Sequence, residues 1–526
     1  MKLRANCLLL VSALLAALYA TACGGSGSAP IPPPPTGNFS NASLKGQYAF
    51  SMSGSDGINF FARVGSFTAD GNGKITAGIE DVNIAGTGAL APITFTTPTT
   101  YSVQADGRGT INLTGTGPLV FSITVLSPAQ GLIVETDGIA TASGSFLLQD
   151  PNSFNKANFS GNYVFDVSGL DSNLNPDSIV GQFVSNGSGG FASGLIDEND
   201  ATTFISAAPF TGSSYALDAA NGATFGRGTL SFTANGTVYN YVFYIVNGSK
   251  IRMIETGSAA LTVGDAQAQT SVPASNTNFN GDFVFLVTGS STGASAITRI
   301  GRVTANGSGG LTNVYADTND DGLVAHVPHG GLSKTNYSID TANAGTGRGT
   351  LTFTDSGLGT YSFVFYLASS SGGVIQDVSV KQVADGTIQL QTGGPFTNAT
   401  LSGDYGFNFA GISSNTSTFA TAEEDYVGHL TVSSTSSNNV TGAVDFSEFS
   451  SNQGVFTNIV VSGSGLTVGG DGTTSTGTRN ALSLKINAAP SATLNFVPYF
   501  VNSQTMFVAG TDSDRTISGI ISVQAP

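Results

Sequence analysis

Internal repetition is the feature that most constrains how this chain can fold. Four segments of the 526-residue sequence open with the same short unit, a glycine followed by one polar and one aromatic residue. The aromatic residue recurs at intervals of 115, 120 and 122 residues, at Tyr48, Tyr163, Phe283 and Tyr405. Solenoid repeats are only ~20–50 residues long and cannot fold alone, whereas longer segments can be domains. The repeat therefore predicts four tandem domains, arranged as beads on a string.

Two further motifs recur inside the repeat. Gly-Arg-Gly-Thr occupies residues 107–110, 226–229 and 347–350, and a reduced form surrounds Arg479 in the fourth segment. A glycine-containing hairpin turn occupies residues 70–73, 186–189 and 306–309, and the fourth segment has residues 434–439 there instead. The predicted β domains are residues 37–150, 151–269, 270–391 and a divergent fourth at 392–526.

Each segment has the pattern of consecutive strands. In the first, Tyr48, Phe50 and Met52 alternate with small or polar residues, and seven further strand-like stretches follow, at residues 61–69, 74–82, 93–104, 109–114, 119–126, 132–136 and 141–148. Alternation with a period of two gives a strand one buried face. We therefore predict an all-β fold of four antiparallel domains, each an eight-stranded up-and-down barrel without free edges. The alternative is a β-sandwich, which short strands and regular turns also suit.

The start of each segment resembles the lipocalin and avidin-like barrels. Those proteins open with a short helical turn that leads into glycine, one residue and an aromatic side chain on the first strand. The match here is Gly46 and Tyr48, with a counterpart in each of the other segments. The resemblance implies a calycin-like barrel.

The first 22 residues have the pattern of an export signal. Lys2 and Arg4 precede an apolar run that is too short, and wrongly flanked, for a membrane span of ~20 apolar residues. Small residues then precede Cys23, which resembles the lipobox of bacterial lipoproteins. That resemblance implies cleavage before Cys23 and a palmitate-type lipid anchor on it, and Gly24 implies sorting to the outer membrane, in a periplasmic or surface-exposed position. The alternative is ordinary signal cleavage that leaves a free cysteine.

Residues 23–36 predict a tether between the anchor and the folded body. The first part is rich in Gly and Ser and should be flexible, and the second is rich in Pro and should form an extended spacer. The whole chain also resembles the tandem-repeat lipoproteins of Gram-negative soil bacteria, which implies the same anchor followed by repeated β domains.

Charge and cysteine content exclude several classes of function. The chain has 18 Lys and Arg against 34 Asp and Glu, a net charge of −16, and loss of Lys2 and Arg4 with the signal makes it −18. Such a chain repels nucleic acid, so we expect no nucleic-acid partner. Of the two cysteines, Cys7 would be lost with the signal and Cys23 would be acylated. Neither a disulfide nor a Cys-ligated metal site is therefore expected.

One acidic segment is a candidate calcium site. Asp317, Asn319 and Asp321 supply oxygens at alternate positions and Gly322 permits a sharp turn, as in the front half of a calcium loop. Pro328 stands where the closing glutamate would be. The alternative is a solvated turn in which Asp and Asn cap their own backbone. No other cofactor is predicted, and His326 and His329 are interpreted as surface-loop residues, because the remaining histidine, His429, belongs to the next unit.

The recurring arginines Arg108, Arg227 and Arg348 are candidate binding residues. One interpretation pairs each with a carboxylate of its own unit, such as Glu135, Glu255 or Asp377, which would fix strand register. The other is contact with an anion or a sugar.

Few residues suit catalysis. The chain has no usable thiol, three histidines, no Gly-x-Ser-x-Gly elbow and no phosphate loop. We therefore predict a non-enzymatic, monomeric surface lipoprotein that adheres to polysaccharide or cell-surface ligands through exposed loops, with repetition adding avidity. The alternative is a carrier of small apolar ligands in barrel cavities, which would need small residues facing inward. An enzyme with paired carboxylates is the third possibility.

Overall fold

The computed structural model describes residues 38–526, except for residues 258–259, 272–274, 292–294, 329–330, 380, 414–421, 436–438, 450–453, 470–478 and 488–491. Each of the four repeats forms one antiparallel sheet. Short 3-10 turns at Asn41–Ser43, Lys156–Asn158 and Asn276–Asn278 precede the first strand of units one to three, and a further 3-10 turn spans Pro151–Ser153. The one α-helix of the described residues, α1, spans Gly222–Phe225.

The first two units contain strands β1 to β18. The strands of the first unit are β1 (Lys45–Ser55), β2 (Phe60–Asp70), β3 (Ile75–Ile84), β4 (Gly88–Ala89), β5 (Ile93–Thr94), β6 (Thr100–Val103), β7 (Arg108–Thr114), β8 (Pro118–Ser127), β9 (Gln130–Glu135) and β10 (Thr141–Leu148). Those of the second are β11 (Ser160–Leu170), β12 (Pro176–Asn186), β13 (Phe191–Asn199), β14 (Phe204–Leu217), β15 (Arg227–Ala234), β16 (Thr237–Asn247), β17 (Lys250–Glu255) and β18 (Leu261–Ala268).

The last two units contain strands β19 to β35. The strands of the third unit are β19 (Asn280–Ser291), β20 (Ala296–Asn306), β21 (Leu311–Asp320), β22 (Leu323–Val327), β23 (Leu332–Ile339), β24 (Arg348–Asp355), β25 (Gly359–Ser369), β26 (Gly372–Asp377) and β27 (Gln382–Leu390). Those of the fourth are β28 (Gly403–Ser413), β29 (Ala422–Val432), β30 (Val440–Phe449), β31 (Gly454–Thr467), β32 (Ala481–Ile486), β33 (Ala492–Phe500), β34 (Thr505–Gly510) and β35 (Arg515–Val523).

Each sheet curls so that its last strand pairs with its first. In the second and fourth units this closes an eight-stranded barrel. The pairing is interrupted between β5 and β6 in the first unit and between β22 and β23 in the third, and the isolated bridges Lys74–Thr100 and Gly310–Asn336 cross the gap. The prediction of an all-β, up-and-down antiparallel architecture is confirmed: two units are closed barrels and two are curled sheets with the same strand order.

Aromatic rings fill the inside of the units. A phenylalanine of each first strand lies over a glycine of the second strand, so that a Cβ on that glycine would lie within 2.6–2.7 Å of the ring; the pairs are Phe50 with Gly65, Phe165 with Gly181, Phe285 with Gly301 and Phe407 with Gly428. Only glycine fits such a close approach. In the second unit the rings of Phe210 and Phe232 stack with centroids 4.2 Å apart. The interiors are therefore packed cores.

The four units are not separate beads, because they pack against one another head to tail. The outer face of the first strands of each unit lies against the outer face of the last three strands of the next: β1–β3 against β16–β18, β11–β12 against β25–β27, and β20–β21 against β33–β35. The series closes, because β28–β30 pack against β8–β10. We call these four contacts seams, and the one between units four and one the closing seam. The units thus form a closed ring with approximate four-fold symmetry.

The seams give many strands two buried faces. Residues Tyr241–Val246 of β16 are all buried, and inward and outward side chains enter separate apolar clusters. The expectation of one buried face per strand is wrong for such strands, because their outer face is covered by the neighbouring unit.

All four units stand side by side with equivalent ends together. Gln149, Gln269 and Gln391 in the linkers, and Gln524 at the C-terminal end, each donate to a backbone carbonyl of the following unit, which for Gln524 is the first. At the other end of the strands, Asn83, Asn199 and Asn319 donate to carbonyls of the next unit. We call the first end the linker face and the second the hairpin face; the recurring glycine-containing turns at residues 70–73, 186–189 and 306–309 lie at the linker face. The backbone N–H of Phe39 donates to the carbonyl of Ala105 on the linker face. The predicted tether, which precedes Phe39, therefore joins the ring there.

Among the described residues, no helix has both the length and the apolar character needed to cross a membrane.

Candidate functional site

The seams hold the recurring arginines. Arg227 of the second unit donates to both carboxylate oxygens of Asp81 in the first unit. Its Nε lies 2.8 Å from Oδ2 and its Nη2 lies 2.7 Å from Oδ1. Arg348 of the third unit binds Asp197 of the second in the same way, at 2.7 and 2.6 Å. In the fourth unit the reduced motif keeps this role, because Arg479 binds Asp317 of the third. A bidentate pair of this kind fixes both distance and orientation.

A tyrosine completes these three seams. The hydroxyls of Tyr244, Tyr366 and Tyr499 donate to Asp81, Asp197 and Asp317 at 2.6, 2.6 and 2.7 Å. Burial and the neighbouring carboxylate raise the pKa of Tyr366 well above its usual value, so its hydroxyl stays protonated and donating. Burial acts to lower the pKa of Arg348, but the hydrogen bond and charge of Asp197 outweigh it and the pKa is raised. These three seams therefore each hold a charged pair. Asp81 and Asp197 accept three hydrogen bonds each from the arginine and the tyrosine, and Asp317 accepts two.

Both glycines of the Gly-Arg-Gly-Thr motif are needed to place the arginine in the seam. Gly347 precedes Arg348 with a φ of +72°, a conformation that glycine adopts readily. Gly349 follows, and a Cβ there would lie 2.3 Å from the ring of Phe365. The motif thus turns the chain into β24 and lays its first residue across the seam.

These contacts decide where Arg108, Arg227 and Arg348 lie. All three are buried, with 5–7% of their surface exposed. Each also binds an aspartate of its own unit, namely Asp106, Asp218 or Asp340, rather than Glu135, Glu255 or Asp377. Contact with an anion or a sugar stays a prediction, and it would require a seam to open.

Two of the three calcium candidates, Asp317 and Asn319, lie on strand β21. Asp317 is occupied by Arg479 and Tyr499. The Asn319 amide donates to carbonyls of Gly510 and Arg515 across the seam, while Asp321 begins the turn after β21 with a φ of +49°. Among the described residues, no three His, Cys, Asp or Glu side chains are grouped so as to hold a metal ion. Calcium binding at Asp317, Asn319 and Asp321 stays a prediction, and it would have to displace these contacts.

The remaining candidates are Cys23 and the histidines. Cys23 and His329 lie outside the described residues. His326 is exposed on β22, whereas His429 is partly buried, with Nδ1 2.6 Å from Oε1 of Gln524. The structure does not bring the histidines of the described residues into one site.

Sequence reasoning missed the acidic partners of the arginines, Asp81, Asp197 and Asp445, as seam residues. The signal was available, since an acidic residue recurs at this place in all four repeats, as the arginine does. Two opposite charges that recur together indicate a pair, but not whether the partners belong to one unit or to neighbouring units.

A second feature that sequence reasoning missed is on the hairpin face. Among the described residues, the three large apolar side chains with the highest exposure are Leu323, Ile58 and Ile139, at 76, 72 and 65%. Each follows Asp-Gly in a turn on this face. In two of the turns the aspartate supports the tip, because Asp56 and Asp137 accept from the backbone N–H of Ile58 and Ile139 at 2.8 Å. The backbone therefore presents these side chains to solvent.

Other exposed apolar residues follow the same distribution. Leu90, Phe204, Val238, Val324, Leu332, Val455 and Val460 also lie toward the hairpin face, and Leu148 lies at the linker face. The described hairpin-face turns are acidic as well, with Asp56, Asp137, Asp171, Asp200, Asp321, Asp512 and Asp514 against Lys381 and Arg515. Single exposed apolar residues are ordinary, but here most of them are concentrated on one face of the ring.

Comparisons with known proteins give little further information. No family model and no curated protein matches the chain. Among solved structures, two crystal structures of mutants of the vaccine antigen transferrin binding protein B from Haemophilus parasuis Hp5 show a weak likeness. Both are 9% identical, cover 75% of this chain and 83% of that one, and give TM-scores of 0.16 and 0.15. Scores this low carry no argument about the function of this chain.

Proposed function

We propose that the protein is a non-enzymatic lipoprotein of the bacterial outer membrane that binds polysaccharide or cell-surface ligands through its hairpin face. The observation that carries this proposal is the concentration of exposed apolar side chains on that face, at the opposite end of the strands from Phe39 and the linkers. A tether that enters at the linker face would point the hairpin face away from the membrane. Four units in one ring would present several weak contacts together and so gain avidity.

The packed interiors favour this function over the carrier. In the second unit the ring centre of Phe183 lies 5.4 Å from that of Tyr163 and 4.8 Å from that of Phe191, so the three rings form a row inside the barrel. An eight-stranded barrel is wide enough only for side chains or one small ligand, and here side chains occupy the space. A small apolar ligand would therefore have to displace these rings.

The nature of the hairpin face suits carbohydrate as well as protein. Exposed Thr202 and Thr203 supply hydroxyl groups directly before the exposed ring of Phe204 in the chain. Apolar side chains among neutral hydrogen-bonding groups are the usual lining of a specific contact surface.

The test is adhesion by a variant whose three Asp-Gly tips are polar. This triple variant carries Ile58→Ser, Ile139→Ser and Leu323→Ser. It keeps the backbone N–H groups of residues 58 and 139, so the turns should persist. We expect binding to a glycan array and to cell envelopes to fall at least tenfold, with the thermal midpoint nearly unchanged because the tips are exposed. Leu148→Ser on the linker face is the matched control. Undiminished binding by the triple variant would contradict the proposal.

The anchor is tested separately. Metabolic labelling with a palmitate analogue should mark the wild-type chain in the outer-membrane fraction and leave Cys23→Ala unlabelled. Protease treatment of intact cells should cut the hairpin-face turns if the ring is surface-exposed and spare them if it is periplasmic. A labelled Cys23→Ala chain would contradict lipidation at this residue.

A further inference from the structure

The insides of the units differ at the hairpin-face end, which we call the mouth. In the first unit the guanidinium of Arg63 lies 3.2 Å from Glu80 and 3.3 Å from Glu135. In the third, Arg299 binds Asp377 and its guanidinium carbon lies 4.9 Å from the ring centre of Tyr361. Each of these mouths thus balances buried carboxylates with a guanidinium from the same unit.

The fourth unit reaches the same result by another route. Arg515 on its last strand lies 3.4 Å from Glu424. Burial raises the pKa of Glu424, and the charge of Arg515 opposes that rise. Three of the four mouths therefore contain a buried acid paired with an arginine.

The second unit lacks the arginine. Arg63 and Arg299 each stand two residues before the glycine that faces a phenylalanine, at Gly65 and Gly301. The equivalent residue before Gly181 is Ile179, which is fully buried. Loss of the arginine alone would suit an apolar mouth.

The acids, however, remain in the second unit. Glu255 pairs across the sheet with Tyr241 as Glu135 pairs with Phe121, so it has the place of Arg63's partner. Glu198 lies directly opposite Ile179 in the sheet. Asp177 precedes Ile179 by two residues and lies on the same face. The exposed fractions of Asp177, Glu198 and Glu255 are 6, 8 and 7%. Three carboxyl groups thus share a mouth in which the other units have a cation.

Hydrogen bonds satisfy these acids only in part. Glu198 accepts from the Tyr239 hydroxyl at 2.6 Å, and Glu255 accepts from the hydroxyl of Thr262 at 2.8 Å. Oδ1 of Asp177 is buried without a hydrogen-bond partner among the described residues. Burial, and then the charges of Glu198 and Glu255, raise the pKa of Asp177 well above its usual value. A buried oxygen of this kind is costly unless it gains a donor.

We infer that the mouth of the second barrel binds a guanidinium group from outside the chain, in the place that Arg63 and Arg299 fill in their own units. The carboxylates supply acceptors, and a planar guanidinium has the donors to bridge two of them. The group comes from a small guanidino compound or from an arginine of a partner protein. This site goes beyond the adhesive surface and does not depend on it.

The test is calorimetric titration of the purified full chain with L-arginine amide at pH 8. Citrulline amide is the matched ligand, because it has nearly the same shape without the charge. We expect arginine amide to bind and citrulline amide to bind at least tenfold more weakly. Absence of arginine amide binding would overturn the inference.

Variants locate the site. Asp177→Asn and Glu255→Gln, which keep shape, should each weaken binding at least tenfold, while Asp137→Asn outside the mouth should not. Ile179→Arg should supply the missing guanidinium from within and abolish binding while the circular dichroism spectrum stays native. Equal binding by the wild type and the two acid-to-amide variants would place the ligand elsewhere and overturn the inference.

Two further arms identify the ligand. In the first arm calcium is titrated. The inference would be overturned if calcium bound the wild type, failed to bind Asp177→Asn and was not displaced by arginine amide, because the site would then hold a metal ion. An arginine-containing peptide that competes with arginine amide would support it and indicate a protein source, whereas competition by free agmatine alone would support it and indicate a small molecule.

Discussion

Three seams of the ring join units that are also connected by the chain, whereas the closing seam joins units four and one without a linker. In two of the connected seams an aspartate receives a bidentate arginine and a tyrosine hydroxyl, and in the third Asp317 receives one nitrogen of Arg479 and the Tyr499 hydroxyl. In the closing seam Arg108 Nη1 lies 3.7 Å from Asp445, and Thr124 stands where Tyr244 and Tyr366 stand in the others. The charged contact is therefore weakest where covalent connection is absent.

The closing seam uses neutral contacts instead. The Ser143 hydroxyl donates to Asn408 at 2.6 Å, and the Thr141 hydroxyl donates to Asp425 at 2.7 Å. Gln524 donates to the carbonyl of Val125, and the N–H of Ala525 donates to that of Leu126. The difference teaches that the ring is closed by many small interactions and that it should open first at this seam.

The largest expected effect is loss of an aspartate from a connected seam. Asp197→Ala leaves Arg348 and Tyr366 buried without their acceptor, so the free energy of unfolding in urea should fall by about 3–5 kcal/mol. Asp445→Ala is the matched variant, and because its arginine is more distant and also binds Asp106 and Asn458, it should cost about 1 kcal/mol. Equal losses would remove the distinction between the seams.

The next effect is a pH dependence of the closing seam. Burial raises the pKa of Asp425 to about 8, and the hydrogen bond from Thr141 opposes the rise. The folded state thus holds this proton more tightly than the unfolded state, in which the pKa is about 4. The stabilisation is complete below pH 4 and is lost as the pH rises toward 8.

Hydrogen exchange measures this loss. Corrected for intrinsic rates, protection of β10 and β28 should fall by about 2–4 kcal/mol between pH 5 and pH 8, because one pKa unit corresponds to about 1.4 kcal/mol. Asp425→Asn should flatten the dependence. A seam that protects equally at both pH values would show that Asp425 ionises normally in the ring.

A smaller effect is expected from the C-terminal glutamine. Gln524→Ala removes two hydrogen bonds to the carbonyls of Asp106 and Val125, at a cost of about 1–3 kcal/mol. The equivalent Gln269→Ala should cost a similar amount of stability, but its units stay connected by the linker. Only Gln524→Ala should increase the maximum dimension in small-angle X-ray scattering, and expansion of both variants would contradict this view.

The smallest effect concerns the residue that replaces tyrosine. Tyr366→Phe should lose about 1 kcal/mol, since Asp197 loses one donor. Thr124→Val should be neutral within about 0.5 kcal/mol or slightly stabilising, because its hydroxyl is buried without a hydrogen-bond partner among the described residues. Thermal unfolding of both variants measures the difference, and a large loss in Thr124→Val would show that this hydroxyl has a role in the seam.

Strand positions could be predicted from the sequence because turns interrupt the alternation clearly. The predicted stretch at residues 141–148 coincides with β10, and the one at 61–69 lies within β2. The stretch at 93–104 was predicted as one strand, but it is divided into β5 and β6. Pro98 lies between them and lacks a backbone N–H for the ladder.

The ring could not be predicted in the same way, because its pairs are distant in sequence. Arg227 and Asp81 are 146 residues apart, and Arg348 and Asp197 are 151 apart. Each unit supplies a recurring acid and a recurring arginine, so pairing within a unit fits the sequence equally well. Continuous apolar runs such as Tyr241–Val246 and Phe363–Ala368 were the local indication that a strand is covered on both sides.

The opposite placement of the tether and the Asp-Gly tips has a mechanical consequence. Strands run from one face to the other, so a pull between an anchored Cys23 and a ligand on the hairpin face would act along them. Hydrogen bonds in antiparallel sheets are perpendicular to the strands, and such a load would shear many of them at once instead of unzipping them one by one. A ring built in this way would resist detachment by flow, because its unfolding rate under tension would depend on whole ladders.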